Sequence, residues 1–194
     1  MLYFFCIMRT ESFKPGCYYR LYNTGVAHLP VFLDDSNYYR FLFLILHYQS
    51  PKVMRNTAYY ADRIERDGGK GFRTSKETID LIDRDRTVNL LGYSLTRDGY
   101  SLLVYNLGDL SSSVYMQRVL TAYSKYFNKK YGRVGPVFAG PFRYISLGNR
   151  KANAQKVLND LHSSESIWTS AADYSHNRWE RLLDTKTLAD RKSD

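Results

Sequence analysis

The stretch from Leu91 to Phe142 changes its hydrophobic period twice, and this constrains the fold more than any other part of the chain. In GYSLTRDGYSLLVYN, apolar and polar residues alternate on both sides of a short polar turn, Arg97-Asp98-Gly99, as two antiparallel strands require. The period then lengthens. Met116, Val119, Leu120, Tyr123, Tyr126 and Phe127 recur at three- and four-residue intervals, so one stripe of a helix is apolar and can lie on the sheet. Ser111, Ser112 and Ser113 are its N-cap candidates. The opposite side carries Arg118, Lys125 and Lys129, a basic row that is either solvated or turned toward phosphates. GPVFAGPFRYISL reads as a further strand, with Pro141 marking an edge or a bulge.

Upstream, CYYRLYNTG after Pro15-Gly16 reads as a strand, with Tyr18, Arg20 and Tyr22 on one face and Tyr19, Leu21 and Asn23 on the other. Asp34, Asp35 and Ser36 then cap a helix that buries Tyr38, Phe41, Leu42 and Ile45 and ends before Pro51. From about Gln49 to Asp85 the chain turns polar and charged, with short helices expected at Ala58–Arg66 and Lys76–Asp83. The GGKG piece within it is not a phosphate loop, because Lys70 is followed by Gly71-Phe72 rather than by Ser or Thr opening a helix. A basic insertion fits better. Downstream, a polar helix spans about Arg150 to Leu161, and Trp168, Tyr174 and Trp179 mark a tail that packs on the body.

The order β-α-(insertion)-β-β-α-β-α gives an α+β protein, a ferredoxin-like antiparallel sheet with helices packed on one face. Residues 1–15 form an arm or extra strand, 16–163 the domain with its insertion at about 49–85, and 164–194 the tail. The opening MLYFFCIM is too short to span a bilayer and lacks the charged start and cleavage site of a signal peptide. Cys6 and Cys17 are too few for a disulfide framework and lack metal-site spacing, which points to a reducing, cytoplasmic setting.

The formal charge of +9, from 28 Lys+Arg against 19 Asp+Glu, favours a polyanionic partner. The 18 tyrosines supply flat rings for stacking on bases, though half-buried sheet and helix positions will absorb many of them.

The phrases YYRLYNTG…PVFLDDSNYYRFL, YSL…YSLLVYN, MQRVLTAYSKYFNKKYGRVGPVFAGPFRYI and IWTSAADY resemble successive signatures of the REP-associated tyrosine transposases, single-tyrosine transposases of the IS200-like superfamily. The resemblance covers roughly residues 16 to 175 and is most specific from Met116 to Phe142. It implies a dimeric domain that grips a DNA hairpin and flanking single strand. In active members a His-hydrophobic-His pair on the central strand holds a divalent metal, and a tyrosine on a later helix attacks the phosphate.

The chain departs from the family at that spot. Gly99 and Ser101 stand where the two histidines belong, and Asp160 falls nearest the nucleophile position. Glycine has no ligand atom, and a neutral hydroxyl is a poor metal ligand beside imidazole. His28, His47, His162 and His176 are scattered, and Asp98 in the hairpin turn is the one other ligand to weigh. The expectation is therefore an inactive, domesticated transposase-like domain, without metal or cofactor. It would bind DNA or RNA hairpins as a homodimer or as a subunit of a nucleoprotein complex. Arg118, Lys125, Lys129, Lys130, Arg133 and Arg143 are the expected phosphate contacts, and Tyr18, Tyr22, Asn23 and Tyr100 the expected base or sugar contacts. Two alternatives stand beside it: an active nicking enzyme with unorthodox ligands, using Tyr144 or Tyr174, and a protein-interaction subunit whose basic face meets an acidic partner.

Overall fold

The computed structural model describes residues 13–52, 75–109, 111–166, 168–176 and 182–188, together with Tyr59, Arg63 and Arg66. Five strands form one antiparallel sheet: β1 (Cys17–Thr24), β2 (Val88–Thr96), β3 (Gly99–Asn106), β4 (Arg143–Gly148) and β5 (Trp168–Thr169). Their spatial order is β4-β1-β3-β2-β5. The expected hairpin is β2–β3, closed at Thr96 and Gly99, and β4 is the edge strand that Pro141 announces. The helices are α1 (Asp35–His47), α2 (Lys76–Arg84), α3 (Ser111–Tyr131), α4 (Lys151–His162) and α5 (Ala171–His176). Of the expected helix at Ala58–Arg66 only Tyr59, Arg63 and Arg66 are described, each in helical conformation, and Trp179 lies outside the described residues. No helix among the described residues is long and apolar enough to cross a membrane.

The α1 start follows the sequence: the Asp34 carboxylate accepts the Asn37 N–H at 3.1 Å. The α3 start does not. Rather than a serine, the Asn106 side chain at the end of β3 accepts both the backbone N–H (2.9 Å) and the hydroxyl (2.7 Å) of Ser112. Its amide nitrogen donates to the carbonyls of Lys14 and Gly108. One buried amide thus ties the incoming arm, the turn and the helix together.

Because strand side chains alternate, the sheet buries two different faces. Tyr19, Leu21, Tyr93, Leu102 and Val104 pack under Phe41, Leu42 and Ile45 of α1 and Met116, Val119, Tyr123 and Phe127 of α3. On the other face Tyr18, Leu91 and Leu103 meet Ala154, Leu158 and Leu161 of α4, together with Leu188. The crossover helices α1 and α3 therefore share one face, and α4 covers part of the opposite one. Its apolar residues recur at four and then three positions, a stripe that needs an apolar floor.

Described segments on either side of the sheet strands are fastened to this body. Phe13 packs on Tyr19 and Tyr144 with ring centroids 4.8 and 4.7 Å away. Trp168 stacks on Tyr38 at 4.6 Å with planes 1° apart. Gln49, fully buried, donates to the carbonyls of Leu46 and Leu182 and accepts from the Leu90 N–H.

His47 is buried at the end of α1, its ring stacked on Phe43 at 4.0 Å and its Nδ1 donating to the Phe43 carbonyl. Burial depresses its pKa from 6.5 to about 4, against the opposing pull of that hydrogen bond. Between these values the unfolded chain binds the extra proton, so stability is complete above about pH 6.5 and falls as pH drops toward about 4. The full effect is roughly 3 kcal/mol. Urea unfolding of wild type and His47→Phe at about pH 7 and about pH 4.5 measures it. The wild type should lose more stability than the variant on acidification, and equal losses would clear His47 of the effect.

Candidate functional site

Cross-strand partners share a face, so the register places the site residues. Arg143, Tyr22, Ser101 and Ser94 are successive partners across β4, β1, β3 and β2. Thr24, Gly99 and Thr96 form the next row toward the hairpin turn, and Ile145, Arg20, Leu103 and Gly92 the next row the other way. A cavity of about 460 Å³ opens on this face beside α4, lined among others by Arg20, Tyr22, Gly99, Ser101, Asp160 and Ser164. The fold thus brings Asp160, distant in the chain, to the cavity that Gly99 and Ser101 line.

The donor set does not fit the divalent ion that the resemblance implies. Gly99 offers no ligand atom, and a Cβ built on it would lie 2.5 Å from the Asn23 carbonyl oxygen and 3.3 Å from Thr24 Cα, so β1 closes over the position with its backbone. Ser101 Oγ accepts a hydrogen bond from Arg20 Nε at 2.8 Å, which sets a fixed positive charge beside the remaining oxygen. Asp98 accepts from the Thr96 hydroxyl at 2.9 Å and has His28 Nδ1 4.0 Å away. Among the described residues no group of three or more His, Cys, Asp or Glu side chains comes together.

Of the expected base contacts, Tyr22 is half-buried in the cavity wall, and Asn23 is buried, its amide donating to the Gly140 carbonyl at 3.2 Å. Asn23, Tyr18 and Tyr100 are corrections, each 3% exposed. Tyr18 is packed on Tyr105 in the second core, and burial raises its hydroxyl pKa. Tyr100 lies in the main core between Phe41 and Phe138. Alternation puts its ring on the side of the sheet away from Ser101, so it is not offered for stacking although Tyr100 contributes to the cavity lining.

The cations divide the same way. Arg118 is a correction: its guanidinium lies 4.6 Å over the Tyr48 ring and donates to the carbonyls of Tyr48 and Ser50, fastening α3 to the end of α1. Burial lowers its pKa. Lys130 is another, because its ammonium binds both Asp34 oxygens at 3.1 and 3.0 Å and also Ser36 and the Tyr126 hydroxyl. Burial alone would raise the Asp34 pKa, but donors from Ser36, Lys130, Tyr131 and the Asn37 N–H hold it at about 2. Lys125, Lys129, Arg133 and Arg143 are exposed, and the Arg133 guanidinium sits 5.5 Å over the Phe127 ring. The segment after α3 returns to this end of the sheet: Ala139 N–H donates to Thr24 O at 2.8 Å, and Gly25 bridges Phe138.

Neither alternative tyrosine stands free in the cavity. Tyr144 packs on Phe13, and the Tyr174 hydroxyl donates to the Leu91 carbonyl at 2.6 Å. His162 Nε2 lies 2.8 Å from Ser170 Oγ, a pairing that suggests a nucleophile and its base. Ser170, however, is fully buried, and its Oγ accepts from the Tyr93 N–H, so no substrate reaches it. Arg20 is the site residue that sequence reasoning passed over, although alternation along β1 already set it between Tyr18 and Tyr22.

Comparison of the chain with protein-family models, with curated proteins and with solved structures gives no match. The close approach of β1 to Gly99 has its own consequence. Gly99→Ala should destabilise the fold by about 1–3 kcal/mol through overpacking against main-chain atoms. A urea titration of the variant measures this, and an unchanged midpoint would show that β1 yields at this point.

Proposed function

We propose that the chain is a catalytically inactive, transposase-like domain that binds structured nucleic acid, a hairpin with adjacent single strand. The observation that carries this reading is the row Arg143–Tyr22–Ser101 with Arg20 beside it. Cations, a ring and hydroxyls share an open sheet face where the resemblance calls for imidazoles and a metal. Exposed Lys125, Lys129 and Arg133 add positive charge at the end of α3, whose connection to β4 runs past Thr24. Phosphates supply affinity at such a corner, and a half-buried tyrosine ring suits an unpaired base. Gly99 and the Arg20–Ser101 pair support the reading of retired strand cleavage, since phosphotyrosine chemistry of the implied kind needs a bound cation beside a free phenol.

Binding of labelled DNA and RNA hairpins across a salt series tests the reading. Replacing Lys125, Lys129 and Arg133 together with Gln should weaken binding and lower the slope of log K against log salt by about 2–3. Lys130 is left intact because it fastens α3 to Asp34. An unchanged slope would remove the corner from the footprint. A covalent protein–DNA adduct formed with magnesium or manganese would revive the enzyme.

A further inference from the structure

We propose that the cavity beside α4 is an oxyanion site, in which Arg20, with the hydroxyls of Ser101 and Ser94, receives a phosphate group. Arg20 sits in the middle of β1 with its Nε committed to Ser101 Oγ at 2.8 Å. That bond fixes the plane of the guanidinium, and its terminal nitrogens make no hydrogen bond or ion pair with the described residues. A planar fork held in this way matches two phosphate oxygens. Ser101 accepts from Arg20 and so keeps its own proton to donate. Ser94 and Ser164 share one hydrogen bond at 2.8 Å, which leaves one of the two hydroxyl protons over. Serine and arginine donors stand in adjacent cross-strand rows, with Arg143 at the sheet edge in the row of Ser101.

The volume, about 460 Å³, lies within the range of pockets that take a small ligand such as a nucleotide. Ile145 and Leu161 give it apolar walls, and Tyr22 offers a ring. Asp160 is the one carboxylate among the described lining residues, and it is exposed on α4, where water screens it. The sign of the site is thus opposite to that of a metal centre: a buried-side cation and hydroxyl donors within, one solvated carboxylate at the rim. That the phosphate comes from a nucleic-acid strand rests on the functional reading above. The preference for an anion does not.

The test uses the full chain at constant ionic strength, with inorganic phosphate, a single-stranded thymidine oligonucleotide and Mn²⁺ as probes, read by calorimetry and, for Mn²⁺, by electron paramagnetic resonance. Wild type should bind phosphate, and phosphate should displace the oligonucleotide. Arg20→Gln should weaken phosphate binding about tenfold or more, the loss expected for one charged hydrogen-bonding group. Asp160→Asn should strengthen it, and because a gain cannot come from misfolding, this variant keeps the proposal falsifiable if Arg20→Gln is unstable. Three results would overturn the site: no phosphate binding by wild type, no effect of Arg20→Gln in a folded variant, or Mn²⁺ binding that Asp160→Asn abolishes. Phosphate bound without oligonucleotide retention would support the anion site and sink the nucleic-acid reading. Oligonucleotide retained without phosphate binding would do the reverse.

Discussion

β1 runs between β3 and β4, and the alternation of its side chains divides the molecule into two chemistries. Tyr19 and Leu21 enter the core under α1 and α3, while Arg20, Tyr22 and Thr24 line the cavity. With a period of two, a slip of one residue would exchange the sets and drive a guanidinium into an apolar interior. The register is pinned at both ends: Gly16 N–H donates to Asn106 O at 2.8 Å and Gly25 N–H to Asp98 O at 2.7 Å. Whatever stabilises the central pairing therefore also assembles the cavity.

Features set by local periodicity were legible in the sequence. The β2–β3 hairpin, the Asp34 cap, the apolar stripe of α3 and the edge position of β4 each follow from residues within a few positions of one another. Features that depend on distant partners were not. Nothing near Asn106 in the chain announces that its amide caps α3, and nothing near Tyr100 tells that its face of β3 meets Phe41 and Phe138. Period-two alternation separates two faces of a strand but does not say which one a helix will cover. In this chain both faces are partly covered, and Tyr18 lost its exposure to the second core.

The basic composition resolves into two populations with different physics. Arg118 and Lys130 sit on the same helix as Lys125 and Lys129, yet the first two hold α3 against α1 through carbonyls and Asp34, whereas the other two are exposed. Helical spacing could not separate them, because the groups that bind Arg118 and Lys130 belong to α1 and the residues flanking it. A net charge of +9 therefore overstates the charge free to attract a polyanion, and among the described residues Lys125, Lys129 and Arg133 are exposed where α3 runs out. The negative end of the helix dipole steadies Lys129 there.

The two departures around β3 reinforce each other. Gly99 lets the β1 backbone close over position 99, and the same pairing of β1 with β3 holds Arg20 within reach of Ser101. A divalent ion about 4 Å from that guanidinium would meet a repulsion of roughly 2 kcal/mol in bulk water and roughly 8 kcal/mol at an effective dielectric near 20. Metal-binding imidazoles placed at 99 and 101 would have to overcome this and force β1 outward as well. A singly charged phosphate in the same place meets an attraction about half that size, with no rearrangement of the backbone. The cavity's disfavour for a cation is thus written into strand pairing as much as into the identity of its side chains.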